Sequence, residues 1–304
     1  MTGLLRKTLI AGLLTIFASA SALADEILMP FVLAGTSSGD VASVSGEVKS
    51  KLAKGGFEVV GEYSPYEGAN VIIATSDALK QNAAKTDFGA YGAMVRVSVT
   101  KNGDATEVVY TNPEYMAAAY RMAGDGSDIR AAIEGALGAE KEFGSEKNLT
   151  AKDLREYHYT VMMEYFDDPS ELAEYDSQEE AVKAVEDALA AGAGATSKVY
   201  RIDVPNGETV FGVALKGADA DDCSGDEFIM SRIDKSTPRH TAHLPYEIVV
   251  HDGTAYALYA RFRIAINWPH LPMVASESGA TFLSIMCSPD AIEEALIKAS
   301  GGDA

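Results

Sequence analysis

Three of the chain's five histidines lie within SRIDKSTPRHTAHLPYEIVVHDG, residues 231 to 253, where basic residues also gather. Imidazole ligates transition metals and exchanges protons near neutral pH, so two chemistries open there. Spacing narrows the first. His243 and His251 sit at opposite ends of an expected strand, up to roughly 26 Å apart at about 3.3 Å per residue, and cannot hold one ion. A single-metal site of copper type would need His240 and His243 with His270, Met273 or a cysteine. The second chemistry is an enzyme using His240 or His243 as acid or base, with a carboxylate or tyrosine orienting the ring. The bland alternative is a hydrogen-bonded pair of loop histidines, with no metal or other cofactor.

The surrounding charge suggests a third use. Residues 231 to 263 carry Arg232, Lys235, Arg239, Arg261 and Arg263 against Asp234, Glu247 and Asp252, in a chain of formal charge −20. If TAYALYARFRIAINW is one strand, Leu258, Ala260, Phe262, Ile264, Ile266 and Trp268 share a core face, and Tyr259, Arg261 and Arg263 share the other. Planar guanidinium groups suit carboxylates and oxyanions. Arg239, His240, His243, Tyr259, Arg261 and Arg263 are therefore the expected binding surface for a small anion or an acidic partner protein. The competing expectation is that these arginines pair with the chain's own surplus acids.

Other motifs fall short. GTSSGD at 35 to 40 lacks the Gly-Lys-Ser/Thr ending of a phosphate loop and reads as a glycine-bearing turn before a helix. The acids at 167–168 and 219–222 lack the ligand spacing of a calcium loop. Cys223 and Cys287 are the only cysteines. They read as a disulfide or as separate buried thiols, and without Cys-x-x-Cys spacing they do not suggest redox catalysis.

Location is the clearest reading. Arg6 and Lys7, an apolar run from Leu9 to Ala18, and Ala22-Leu23-Ala24 form a secretory signal peptide over residues 1 to 24, cleaved before Asp25. The run is too short to span a bilayer, so the chain is expected to be exported to the periplasm without a membrane anchor. Loss of Arg6 and Lys7 takes the formal charge from −20 to −22. That charge repels nucleic acid and anionic membranes.

The elements that would position these residues come in two matching sets. VASVSGEVKSKLAKGGFEVV places Val41, Val44, Val48 and Leu52 on one helical face, stops at Gly55-Gly56 and enters a strand. DSQEEAVKAVEDALAAGAGATSKVYRIDV repeats this with Ser177 as cap, Glu180 at capping-box spacing and Val182, Val185 and Leu189 on the face. VRVSVT and TEVVYT about Asn102-Gly103 form an expected hairpin, matched by YEIVVH and TAYALYA about Asp252-Gly253. Proline-started helices follow at 111 to 122 and 287 to 298, with Asn112 and Ser288 as caps. Four elements in one order predict a duplicated α+β protein, each unit a mainly antiparallel sheet with helices packed on it. By analogy with ILMPFVLAG, the second half should open on a strand at 158 to 166, after a short helix at 151 to 156. The expected division is a first unit at 25 to 125, a helical connection at 126 to 157, and a second unit at 158 to 304.

GGFEVV at 55 to 60, ATSDALKQNAAKTDFGAYGAMVRVSVTKNG at 74 to 103 and HLPYEIVVHDG at 243 to 253, in this order of elements, resemble the small α+β family called domain of unknown function 302. Two degenerate tandem copies are implied, the second with residues 262 to 286 inserted. The family has no general activity, so the resemblance implies a fold and leaves the function open. The expected protein is an exported binding or accessory module.

Overall fold

The computed structural model describes residues 26 to 303; the signal peptide and its cleavage point lie outside them. The first unit runs β1 (Phe31–Ser37), α1 (Val41–Lys54), β2 (Glu58–Tyr63), β3 (Ala69–Thr75), α2 (Asp77–Ala83), β4 (Val95–Asn102), β5 (Ala105–Thr111), α3 (Pro113–Ala119) and α4 (Ser127–Leu137). The connection holds β6 (Lys141–Phe143) and α5 (Ala151–Arg155). The second unit runs β7 (Ser170–Glu174), α6 (Gln178–Ala190), β8 (Thr196–Asp203), β9 (Thr209–Leu215), α7 (Asp226–Ile233), β10 (Tyr246–His251), β11 (Thr254–Ala257), α8 (Ala260–Ala265) and α9 (Ser288–Ala299).

The helices form where caps and apolar spacing agree. Asp40 caps α1 by accepting from the Ser43 N–H, and Val44, Val48 and Leu52 are buried along one face. Ser177 accepts from the Glu180 N–H, and Ala181, Val185 and Leu189 line the buried face of α6. Each helix packs against its own sheet.

All strand pairings are antiparallel. The first sheet has the order β2-β3-β4-β5-β1-β6 and the second β8-β9-β10-β11-β7. Apart from β6, the two orders are the same permutation, and the chain is α+β with two units alike in topology. Even the bulges correspond. Register shifts between Val59 and Gly61 in β2 and between Lys198 and Tyr200 in β8. These two edge strands meet so closely that a side chain on Gly61 would come within 2.3 Å of the Val199 carbonyl oxygen.

The structure departs from the expected elements in five places. Residues 158 to 166 are not a strand; the second unit opens at Ser170. The connection is not wholly helical, since β6 extends the first sheet beside β1. The hairpin turns join equivalent strands, yet their dipeptides are one residue out of step. Asn102 pairs with Ala105, so Gly103-Asp104 turns the chain, whereas Asp252-Gly253 turns it between paired His251 and Thr254. Gly103 alone supplies positive φ (61°) in the first turn, while Asp252 (48°) and Gly253 (83°) both do in the second. The stretch TAYALYARFRIAINW is not one strand: β11 stops at Ala257 and α8 begins at Ala260. A short, almost wholly buried helix shows no apolar stripe, so its sequence is indistinguishable from that of a buried strand. Finally, α8 follows the second hairpin as α3 follows the first. The proline-started α9, whose cap position is Cys287 rather than Ser288, therefore corresponds to α4; both pack on the first helix of their unit.

The units join reciprocally. The single turn Gly89–Gly92, just before β4, packs on β9 and β10, and its counterpart Thr241–His243, before β10, packs on β3, β4 and β5. The largest apolar cluster is shared, uniting Ala90, Tyr91 and Tyr115 with Val210, Phe211 and Tyr246. A second cluster, containing Val97, Ile72, Ile129 and Ile133, lies within the first unit. Cys223, in the loop before α7, is bonded to Cys287 at the start of α9.

Candidate functional site

β4 alternates Val95, Val97 and Val99 with Arg96, Ser98 and Thr100. The valines face the helices, and the second unit covers the polar residues, so all six are buried. Arg96 meets Glu247 of β10, with its Nε donating to the Ala242 carbonyl at 3.1 Å. Arg263 of α8 donates from Nε to the other Glu247 oxygen at 3.1 Å and from Nη2 to the Pro245 carbonyl at 3.0 Å. The two arginines and the glutamate are each at most 3% exposed. This is an ion triad across the joint between the units.

His243 completes it. Arg263 donates from Nη1 to Nδ1 at 2.8 Å. A guanidinium can only donate, so the ring proton lies on Nε2, which meets the Tyr246 hydroxyl at 3.3 Å. Burial, then the charge of Arg263, holds this imidazole well below its ordinary pKa. His240 is buried among Phe31, Phe143 and Trp268, stacking on the indole at 5.0 Å. Burial, then His270, lowers it to about 3. Burial disfavours the charged form of both rings.

The expected site therefore disperses. Arg263 and His243 belong to the joint. Arg261, two residues before Arg263 in a helix and so directed elsewhere, pairs with Glu164 and lies over the Tyr259 ring at 4.8 Å. His240 lines a separate cavity with His270. The cause is the helix in place of the strand: residues two apart share a strand face but lie about 200° apart on a helix.

Arg239 occupies a cavity of about 330 Å³ at the seam, where Tyr66, Glu67 and Lys101 of the first unit face Glu227, Asp234 and Lys235 of the second. Its backbone N–H donates to Glu107 at 2.8 Å and its guanidinium to the Asp234 carbonyl. Lys101 donates to the Asp104 carbonyl at 2.9 Å, and Lys235 to the Ser231 carbonyl. Among the described residues, none of these three cations forms an ion pair with a carboxylate. At the buried end, Thr100 Oγ1 and Asp234 Oδ2 have no hydrogen-bond partner. Burial pushes the Asp234 carboxyl up to about 7.

Sequence reasoning missed Lys101 and Tyr66, and also Glu208. From the β8–β9 turn this buried glutamate accepts from the Phe88 N–H at 2.6 Å and the Ala90 N–H at 2.9 Å, clasping the first unit's crossing turn. Nothing local marks it, because its partners lie about 120 residues away. Fold and site together define the class, a two-unit antiparallel α+β protein with a charged seam cavity. No known family, curated protein or solved structure matches the chain.

Proposed function

We propose that the chain is an exported, soluble binding or accessory protein that captures a small anion in the seam cavity. One observation carries the reading. In a protein of charge −20, Lys101, Lys235 and Arg239 converge on one cavity and bond only to backbone carbonyls, unpaired with the carboxylates Glu67, Glu227 and Asp234 that line it beside them. Coulombic attraction for an anion in a partly shielded cleft exceeds that at an open surface. The unpartnered Thr100 hydroxyl and Asp234 Oδ2 add polar groups for the rest of the ligand, so a carboxylate- or phosphate-bearing molecule fits best. A cavity of about 330 Å³ admits a small molecule better than an acidic protein surface.

Export is part of the proposal, resting on the signal sequence and supported by the Cys223–Cys287 bond, since disulfides persist in oxidising compartments. No helix among the described residues is long and apolar enough to cross a membrane. We carry the resemblance to the domain of unknown function 302 family into the same proposal; the first unit follows the order of elements on which it rests.

The test is thermal unfolding at constant ionic strength with phosphate, sulfate or succinate, against chloride. At least one oxyanion should raise Tm saturably, about 2.7 kcal/mol being gained at a hundredfold excess over Kd. The Lys101→Gln/Lys235→Gln variant alters two exposed side chains and should keep the parent Tm without ligand, while binding at least tenfold more weakly. If no oxyanion acts beyond chloride, or the variant binds as well as the parent, the seam is not an anion site.

A further inference from the structure

The insertion that breaks the likeness of the two units builds a second cavity with no counterpart in the first. Its volume is about 320 Å³. Residues from Trp268 to Ala280 form one wall, tied down by hydrogen bonds from the Phe282 N–H to the Pro272 carbonyl at 2.9 Å and from the Leu271 N–H to the Trp268 carbonyl at 3.0 Å. The Tyr159 hydroxyl anchors the same wall through the Leu271 carbonyl. The opposite side is Ile233 and the loop to His240.

The chemistry of this lining differs from that of the seam. Ile233, Trp268, Leu271, Pro272 and Ala280 give it an apolar body. Glu146 and Lys235 at the rim offset each other in charge. His240 and His270 both line it, and the Nδ1 atom of each is buried without a protein partner. A neutral imidazole offers one donor and one acceptor, and a buried nitrogen left unmatched is a standing demand for a hydrogen bond. Mostly apolar walls with a few polar atoms are what small-molecule sites present. Among the described residues, no three His, Cys, Asp or Glu side chains are placed to hold a metal ion.

We propose that this cavity is a second ligand site, selective for a small uncharged molecule with an apolar ring and a hydroxyl, the ring resting among Trp268, Leu271 and Pro272 and the hydroxyl bonding to the His240–His270 pair. It differs from the seam in needing no anion, although Lys235 lines both cavities.

Trp268, the chain's one tryptophan, is a built-in reporter. The probes are phenol and its methyl ether anisole, which has the ring without the hydroxyl donor. Phenol should change Trp268 emission saturably and raise Tm, and anisole should bind at least fivefold more weakly. His270→Phe should remove that preference, and Ser278→Phe, at the exposed rim, should abolish both responses. If His270→Phe fails to fold by circular dichroism, Ser278→Phe and the phenol–anisole comparison still decide. The proposal is overturned if phenol gives no saturable change, if phenol and anisole bind the parent equally, if Ser278→Phe binds phenol as the parent does, or if one equivalent of Zn²⁺ saturates the emission change and blocks phenol.

Discussion

Arg261 and Arg263 stand two residues apart, are chemically identical, and have opposite roles. Arg263 supports the buried carboxylate of Glu247, and removing one member of a buried ion group leaves a charge without its partner. Arg263→Gln should cost about 3–5 kcal/mol in denaturant unfolding. Arg261→Gln, at a site 34% exposed, should cost less than about 1 kcal/mol. Equal losses would refute the triad. The buried acids give a second test. Asp226, which accepts from the Tyr63 hydroxyl across the joint, and Asp234 are both raised by burial to about 7. The folded state holds their protons where the unfolded chain has released them, so their contribution is full below about pH 4 and lost as pH rises to 7. His240, lowered to about 3, works in the opposite sense, its contribution present above about pH 6.5 and lost as pH falls toward 3. Asp234→Asn removes one acid term. Its Tm, relative to the parent, should rise between pH 5 and pH 8; a constant difference would show that Asp234 is ionised throughout.

Among elements, the amphipathic helices and both hairpins were legible because their signals are local: a cap, a period, a turn residue. Ser177, Val185 and Leu189 read correctly from spacing alone. The strand VRVSVT was legible as a strand, but its alternation suggests one wet face, whereas Arg96, Ser98 and Thr100 lie beneath the other unit. α8 was misread because all of its side chains but Arg261 are buried, which erases the period. The bonded cysteines tie the loop before α7 to α9 across 64 residues. In the chain-entropy account, Cys223→Ser/Cys287→Ser should lose about 4 kcal/mol, measured against the oxidised parent. A loss below about 1 kcal/mol would mean that the covalent tie adds little to packing that already holds these elements together.

At the scale of the whole molecule, the two units behave as halves of one core. Tyr63, Tyr66, Arg96 and Glu107 of the first unit bond to Asp226, Thr241, Glu247 and Arg239 of the second. Separation would expose the shared apolar cluster, leave Arg96 without its carboxylate and leave Glu247 with Arg263 alone. Calorimetry should therefore show a single transition whose van't Hoff and calorimetric enthalpies agree. Residues 26–157 and 158–303 should be unfolded when produced apart and should regain the native circular dichroism when mixed. Two separate transitions, or a folded isolated half, would show the joint to be incidental.

The sequence by itself determined the α+β class, the Asn112 and Ser177 caps and the places of the two hairpins, since each depends on residues within one or two turns of chain. It also determined that basic residues gather between 231 and 263. Which of them share a site was decided only by tertiary structure. Arg239 meets Lys101 because the seam brings together residues 138 positions apart, and Arg263 is lost to the joint because Glu247 and Arg96 close around it. A buried charge is stable only where its partners converge, and convergence of distant segments leaves no period, cap or turn to read in the chain.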